Sequence, residues 1–146
     1  MAKVESQSRQ RFRRVEKIFT DAVFIAHLGI KLDKVGKGWC ETSLDVSGAH
    51  AQQHGFVHAG VLTTLADHSC GGAAKAAVGA KEDVITVEFK INFLRPARGQ
   101  RLSARGQTLR AGKNVVVTES EVYSHEGGGK LLVAKCLSTL VVIPQR

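Results

Sequence analysis

The sequence predicts an α+β domain in which one large antiparallel sheet surrounds a long helix, and three observations carry that prediction. Residues 85–93 alternate without a break: Ile85, Val87, Phe89, Ile91 and Phe93 are apolar, while Thr86, Glu88, Lys90 and Asn92 are polar, the period of two that a strand imposes. Three further strand-like segments follow it through short connections, which implies antiparallel pairing. Residues 59–78 have helical periodicity but are so poor in side-chain bulk that a sheet can enclose them on several sides.

In chain order, Phe12, Val15, Ile18, Phe19, Ala22 and Val23 recur at spacings of three and four over residues 8–27 and predict one amphipathic helix, with Gly29 as its stop. Strands at 30–35 and 39–46, separated by Gly36, Lys37 and Gly38, form a hairpin. Residues 50–60 are a loop rich in Gln, His and Gly. In the helix that follows, Leu62, Leu65, Ala66, Ser69, Ala73, Ala76 and Ala77 share one face, and Gly71, Gly72 and Ala74 permit close packing or leave room for a bulky group. The later strands are expected at 101–109, 115–124 and 131–143, around turns at 110–114 and 125–130.

Composition narrows the function classes. With 146 residues and 43% hydrophobic content, the chain suits one domain over 1–146, the first 28 residues being a helix that precedes the core. No apolar run approaches the length of a membrane span and the start of the chain lacks an apolar leader, so a cytoplasmic protein without membrane contact is expected. The basic stretch 9–14 lies among Glu5, Glu16 and Asp21, unlike an acid-poor transit peptide. Cys40, Cys70 and Cys136 are widely spaced and odd in number, which reads as reduced, buried thiols. A net charge of +8 favours anionic partners, yet only 5% of residues are aromatic, against the stacking platforms of single-strand nucleic-acid binders.

One residue breaks the apolar logic of the long helix. Asp67 is a poor helix former and costly to ionise if buried; on a helical wheel it leaves the Leu62, Leu65, Ala66 stripe and lies near Thr63, Thr64 and Gly71, so it either faces a cleft or is an exposed Asp bonded to a neighbouring hydroxyl. The helix starts after residues 55–60, and its free N-terminal N–H groups suit an oxyanion or a polarised carbonyl. His54 and His58 with His68 raise a metal site, but they lack a carboxylate-anchored second shell and no metal is expected. Neither Thr63 nor Ser69 stands in a Gly-x-Ser-x-Gly turn, so serine-hydrolase chemistry has no support.

The run from Gln52 through His54, Gly55, His58, Ala59 and Gly60 to Leu65, Ala66 and Asp67 resembles the hot-dog-fold acyl-CoA thioesterases of the phenylacetate-degradation (PaaI-like) type, whose pattern is a Gly, a spacer, His-Gly-Gly and Leu-Ala-Asp. The likeness continues through residues 86–97. It implies a hot-dog fold, a sheet wrapped around the central helix, and hydrolysis of an aryl- or medium-chain acyl-CoA with Asp67 as general base or nucleophile. It further implies that Gln52 holds water or substrate, that the Ala59 N–H polarises the thioester carbonyl with Gly60 bordering the substrate, and that His58 supports the loop. Ala59 departs from the pattern's second Gly, which would distort the donor if the backbone there required a positive φ. Thr86 is implied to reach the site from a partner subunit. Phe93, Leu94 and Arg95, and Arg110, Gly112, Lys113 and Asn114 in the later turn, match segments that bind the nucleotide end of CoA. CoA is then part of the substrate and no separate cofactor is needed. One subunit of this fold leaves a sheet edge and half a site open, so a homodimer or homotetramer is expected.

Three rival readings follow from the same residues: a hot-dog enoyl-CoA hydratase or dehydratase using His54 or His58 with Asp67, a non-catalytic acyl-CoA binding protein, and nucleic-acid binding through the basic face of residues 9–14.

Overall fold

The computed structural model describes residues 2–145, with side chains for residues 7–145. Helix α1 (Ala2–Thr20) and a short α2 (Val23–Leu28) precede the hairpin β1 (Lys31–Gly36) and β2 (Trp39–Asp45). A 3₁₀ turn (Gly48–His50) leads into the long helix α3 (Ala59–Ala77), followed by β3 (Glu82–Phe93), β4 (Arg101–Ala111), β5 (Val115–Glu126) and β6 (Gly129–Pro144). The strands form one sheet in the order β1-β2-β4-β5-β6-β3, every neighbour antiparallel. With α3 packed on its inner face, this is the hot-dog arrangement.

The single N-terminal helix read from periodicity is two helices. The Thr20 hydroxyl and the Asp21 N–H both donate to the Lys17 carbonyl, closing the last turn of α1. Val15 and Phe19 are buried as the spacing requires, but the break turns Val23 and Phe24 outward and Ile25 takes the inward position. Gly29, in the left-handed region at φ 78°, then caps α2 by donating to the Ala26 and Ile25 carbonyls.

Small residues let α3 sit very close to the sheet. A Cβ on Gly106 of β4 would lie 2.1 Å from the Ser69 carbonyl oxygen, so only glycine fits there. Gly72 and Ala74 serve this packing rather than leaving room for a substrate: Gly72 lies against Cys40 and Phe19, and Ala74 is fully buried. Gly71 alone of the three faces open space. Ser69 donates to the Leu65 carbonyl and accepts from the Thr42 hydroxyl at 2.7 Å, while Ser120 of β5 donates to the Ala66 carbonyl at 2.9 Å, so these hydroxyls tie the helix to the sheet. The three cysteines are free and buried, and burial pushes the Cys40 thiol up to about 12, which leaves it unreactive.

The strand at 85–93 is real, but its alternation conceals a bulge at Val87. Thr86 pairs with Leu140, and Glu88 with the adjacent Thr139. Residues directly opposite share a face, and Ala134, Cys136, Ser138 and Leu140 point at α3, so Thr86, Phe89, Ile91 and Phe93 lie on the helix side while Ile85 lies on the outer side.

Candidate active site

Half of the site is built on α3. Thr63, Thr64, Asp67, His68 and Gly71 form its half-exposed stripe, as the wheel predicted, and all remaining residues from Val61 to Ala74 are buried. The Thr86 hydroxyl donates to Asp67 Oδ1 at 3.0 Å, which leaves Oδ2 available. That bond is made within one chain, and the bulge at Val87 is what brings an even-numbered residue onto the face of Phe89 and Phe93. Burial raises the proton affinity of Asp67 above the ordinary aspartate range, with the Thr86 bond opposing it. Next to it, His68 packs edge-on against Phe19 and bonds the Ile18 carbonyl, tying α1 to α3.

The other half is the loop before α3. His50, which the sequence did not single out, organises it: Ser47 N–H donates to Nδ1 at 3.0 Å, so the ring proton is on Nε2 and points at the Leu28 carbonyl, and the His50 carbonyl accepts the His58 N–H at 2.8 Å. Gln52 N–H bonds the Phe56 carbonyl, and Val57 N–H bonds the Ala97 carbonyl at 3.0 Å, pinning the loop to the segment after β3. The Gln52 side-chain oxygen accepts from His54 N–H, so its amide NH₂ is the end left free. His58 is the N-cap of α3, its Nδ1 accepting from Gly60 N–H at 2.8 Å. Among the described residues the Ala59 N–H makes no hydrogen bond and no non-glycine residue has a positive φ, so the backbone at Ala59 is one that alanine adopts without strain. Gln52, His58 and Ala59 line a cleft of about 520 Å³ with Phe56, Leu62, Phe93, Leu94 and Arg95.

The two halves do not meet within one chain. Asp67 follows Ala59 by eight residues on a continuous helix, about 12 Å along its axis, too far for one reacting carbonyl to touch both. The pairing of His54 or His58 with Asp67 that a hydratase would need is absent within one chain for the same reason, and among the described residues no three His, Cys, Asp or Glu side chains are grouped so as to hold a metal ion. The two segments assigned to CoA are also separated. Phe93 pairs with Ala134, whereas Asn114 accepts from Val142 N–H, and those partners are eight residues apart on β6, about 27 Å. Arg110, Gly112, Lys113 and Asn114 gather around their own concavity at the end of the sheet where Thr86 and Asp67 lie.

The profile of the thioesterase superfamily matches residues 54–130, a stretch that includes Ala59, Asp67 and Thr86. Among solved structures, a thioesterase family protein from Silicibacter pomeroyi superposes with a TM-score of 0.89 at 33% identity, covering 92% of this chain and 98% of that one. The PaaI protein of Escherichia coli, from the phenylacetic acid degradation operon, shares the fold at a TM-score of 0.84 and 21% identity, over 94% and 96% of the two chains. The 1,4-dihydroxy-2-naphthoyl-CoA hydrolase of Listeria monocytogenes is 27% identical, over 75% of this chain and 88% of its own.

Proposed function

Since the chain belongs to the thioesterase superfamily and is a thioester hydrolase, we propose that it cleaves an aryl- or medium-chain acyl-CoA to the free acid and CoA, at a site assembled from two copies of the chain. The observation that carries this reading is the separation just described. Each chain holds a carboxylate of raised proton affinity at one end of β3 and a free N–H beside an apolar cleft at the other.

A second copy reconciles them. β3 is an edge strand, and Thr86 and Phe93 stand symmetrically about residues 89–90, so antiparallel pairing of β3 with its own copy sets Thr86 and Asp67 of one chain beside the Phe93 cleft of the other. The turn at 110–114, at the Asp67 end, moves toward the same cleft and rejoins Phe93, Leu94 and Arg95. The acyl group and the thioester carbonyl occupy the apolar cleft, with the carbonyl oxygen on the Ala59 N–H and Gly60 at its border. Gln52 donates its amide to the water or carbonyl, and His58 keeps the helix N-terminus in place through Gly60. Asp67 Oδ2 takes the proton of the attacking water, the tetrahedral oxyanion forms on the Ala59 N–H, and its collapse expels the CoA thiolate. Thr86 holds the other carboxylate oxygen. A dimer is the unit this chemistry needs, and a tetramer is two such units. The free cysteines suit a reducing compartment, and we assign the protein to the cytoplasm.

Thiol release from a panel of aryl- and alkyl-CoA esters tests the reading. The native chain turns over, and Asp67→Asn, verified as folded, loses a factor of roughly a hundred or more, the scale of an essential acid or base. No thiol release from any ester by the native chain would refute it.

A further inference from the structure

We propose that Arg98 binds phosphate at the nucleotide end of the CoA thioester, an assignment that rests on the acyl-CoA reading above. The two segments that line the cleft, residues 52–62 and 93–97, contain Arg95 and two histidines but not one Asp or Glu, and Arg98 follows them directly. The outer face of the sheet is the opposite: Lys34, Arg101, Arg105 and Lys135 are each ion-paired there with Asp33, Glu41, Glu119 or Glu121. Among the described residues neither Arg95 nor Arg98 has a carboxylate partner, and Arg95 spends Nη1 on the Leu132 carbonyl at 2.9 Å.

Arg98 is held differently. Its guanidinium lies over the Phe56 ring, 4.4 Å from the centroid, and Phe56 lines the cleft. The cation–π contact holds the guanidinium beside the ring without consuming its N–H donors, which stay available to phosphate oxygens. The rim is also rigid, since the buried Ala97 between the two arginines accepts the Val57 N–H at 3.0 Å. A CoA thioester has an uncharged acyl and pantetheine portion that suits the apolar cleft, and phosphates only at its far end. An acid-free cleft with an arginine beside it, held on Phe56 and without a carboxylate partner among the described residues, matches that distribution of charge.

The experiment compares native chain, Arg98→Ala and Arg98→Lys on an acyl-CoA, the matching acyl-dephospho-CoA and the matching acyl-pantetheine. Arg98→Ala raises KM for acyl-CoA about fivefold with kcat unchanged, an effect that shrinks at high salt, and leaves the pantetheine ester untouched. Arg98→Lys keeps the charge without the fork and falls between. A penalty that disappears with dephospho-CoA assigns the contact to the 3′-phosphate, and one that persists assigns it to the pyrophosphate; either supports the proposal. An equal KM penalty on acyl-pantetheine, or none on acyl-CoA, overturns it. Calorimetry with free CoA keeps the test independent of turnover: weaker binding by Arg98→Ala supports the contact even if no ester is cleaved, and binding equal to the native chain overturns it.

Discussion

The two edges of the sheet are finished in different ways. β1 is six residues long, carries Lys31, Asp33 and Lys34, is kinked by a bulge after Leu32, and is backed by α1; its charges are tied into the sheet through Lys31 to Asp45 and Lys34 to Glu41. β3 is twelve residues long and leaves apolar Val87 56% and Phe89 41% exposed. Short, charged edges resist pairing; β3, although it too has a bulge, at Val87, is long and exposes apolar side chains, which invite it. The chain closes one edge on its own and leaves the other open, the edge that the proposed dimer would use, and the open edge is also where Thr86 holds Asp67.

Placing a charge on the open edge has the largest expected effect. Phe89→Lys yields a folded monomer by light scattering, with thiol release reduced to the level of Asp67→Asn, because each half-site loses its complement. A dimer with native turnover would break the comparison. A smaller effect of opposite kind sharpens it. Burial raises the folded-state pKa of Asp67 above its ordinary value, so the stability this group contributes is present below the ordinary aspartate range and lost as pH rises through the folded value. Asp67→Asn should therefore raise the melting temperature at pH 7 while abolishing activity, and the gain should close as the pH is lowered through that range. A lower melting temperature at pH 7 would contradict it. Smallest is the closed edge: Lys34→Ala removes an exposed pair with Glu41, shifts stability by no more than about 1 kcal/mol, and leaves assembly and turnover unchanged.

How far the sequence reveals this depends on the range of the interaction involved. The strand at 85–93, the cap at Gly29 and the half-exposed stripe containing Asp67 are local, set by periodicity and backbone geometry, and are legible in the residues alone. The break at residues 21–22 is not, because periodicity runs across it and α1 ends at the local bonds of Thr20 and Asp21 to the Lys17 carbonyl. The bulge at Val87 is hidden too, since apolar and polar residues keep alternating through it while the faces exchange, and with that exchange goes the contact of Thr86 with Asp67. His50 resembles any loop histidine until its two bonds to Ser47 and Leu28 are seen. The resemblance points to Gln52, Ala59 and Asp67 together, but their separation along α3 is a matter of three-dimensional distance that a motif does not carry.

Subunit complementation tests the shared site most directly. Ala59 is the first residue of α3, where proline fits, and His58 before it is extended at φ −62° and ψ 139°, so Ala59→Pro deletes only the N–H proposed to hold the oxyanion. Each of Asp67→Asn and Ala59→Pro should be nearly inactive alone, by a factor of roughly a hundred or more. Refolded together in equal amounts, they form mixed dimers in which one site combines the intact Asp67 of one chain with the intact Ala59 of the other, and thiol release should return to about a quarter of the native rate. A mixture no more active than its two components would place both groups in one chain and contradict the two-copy site.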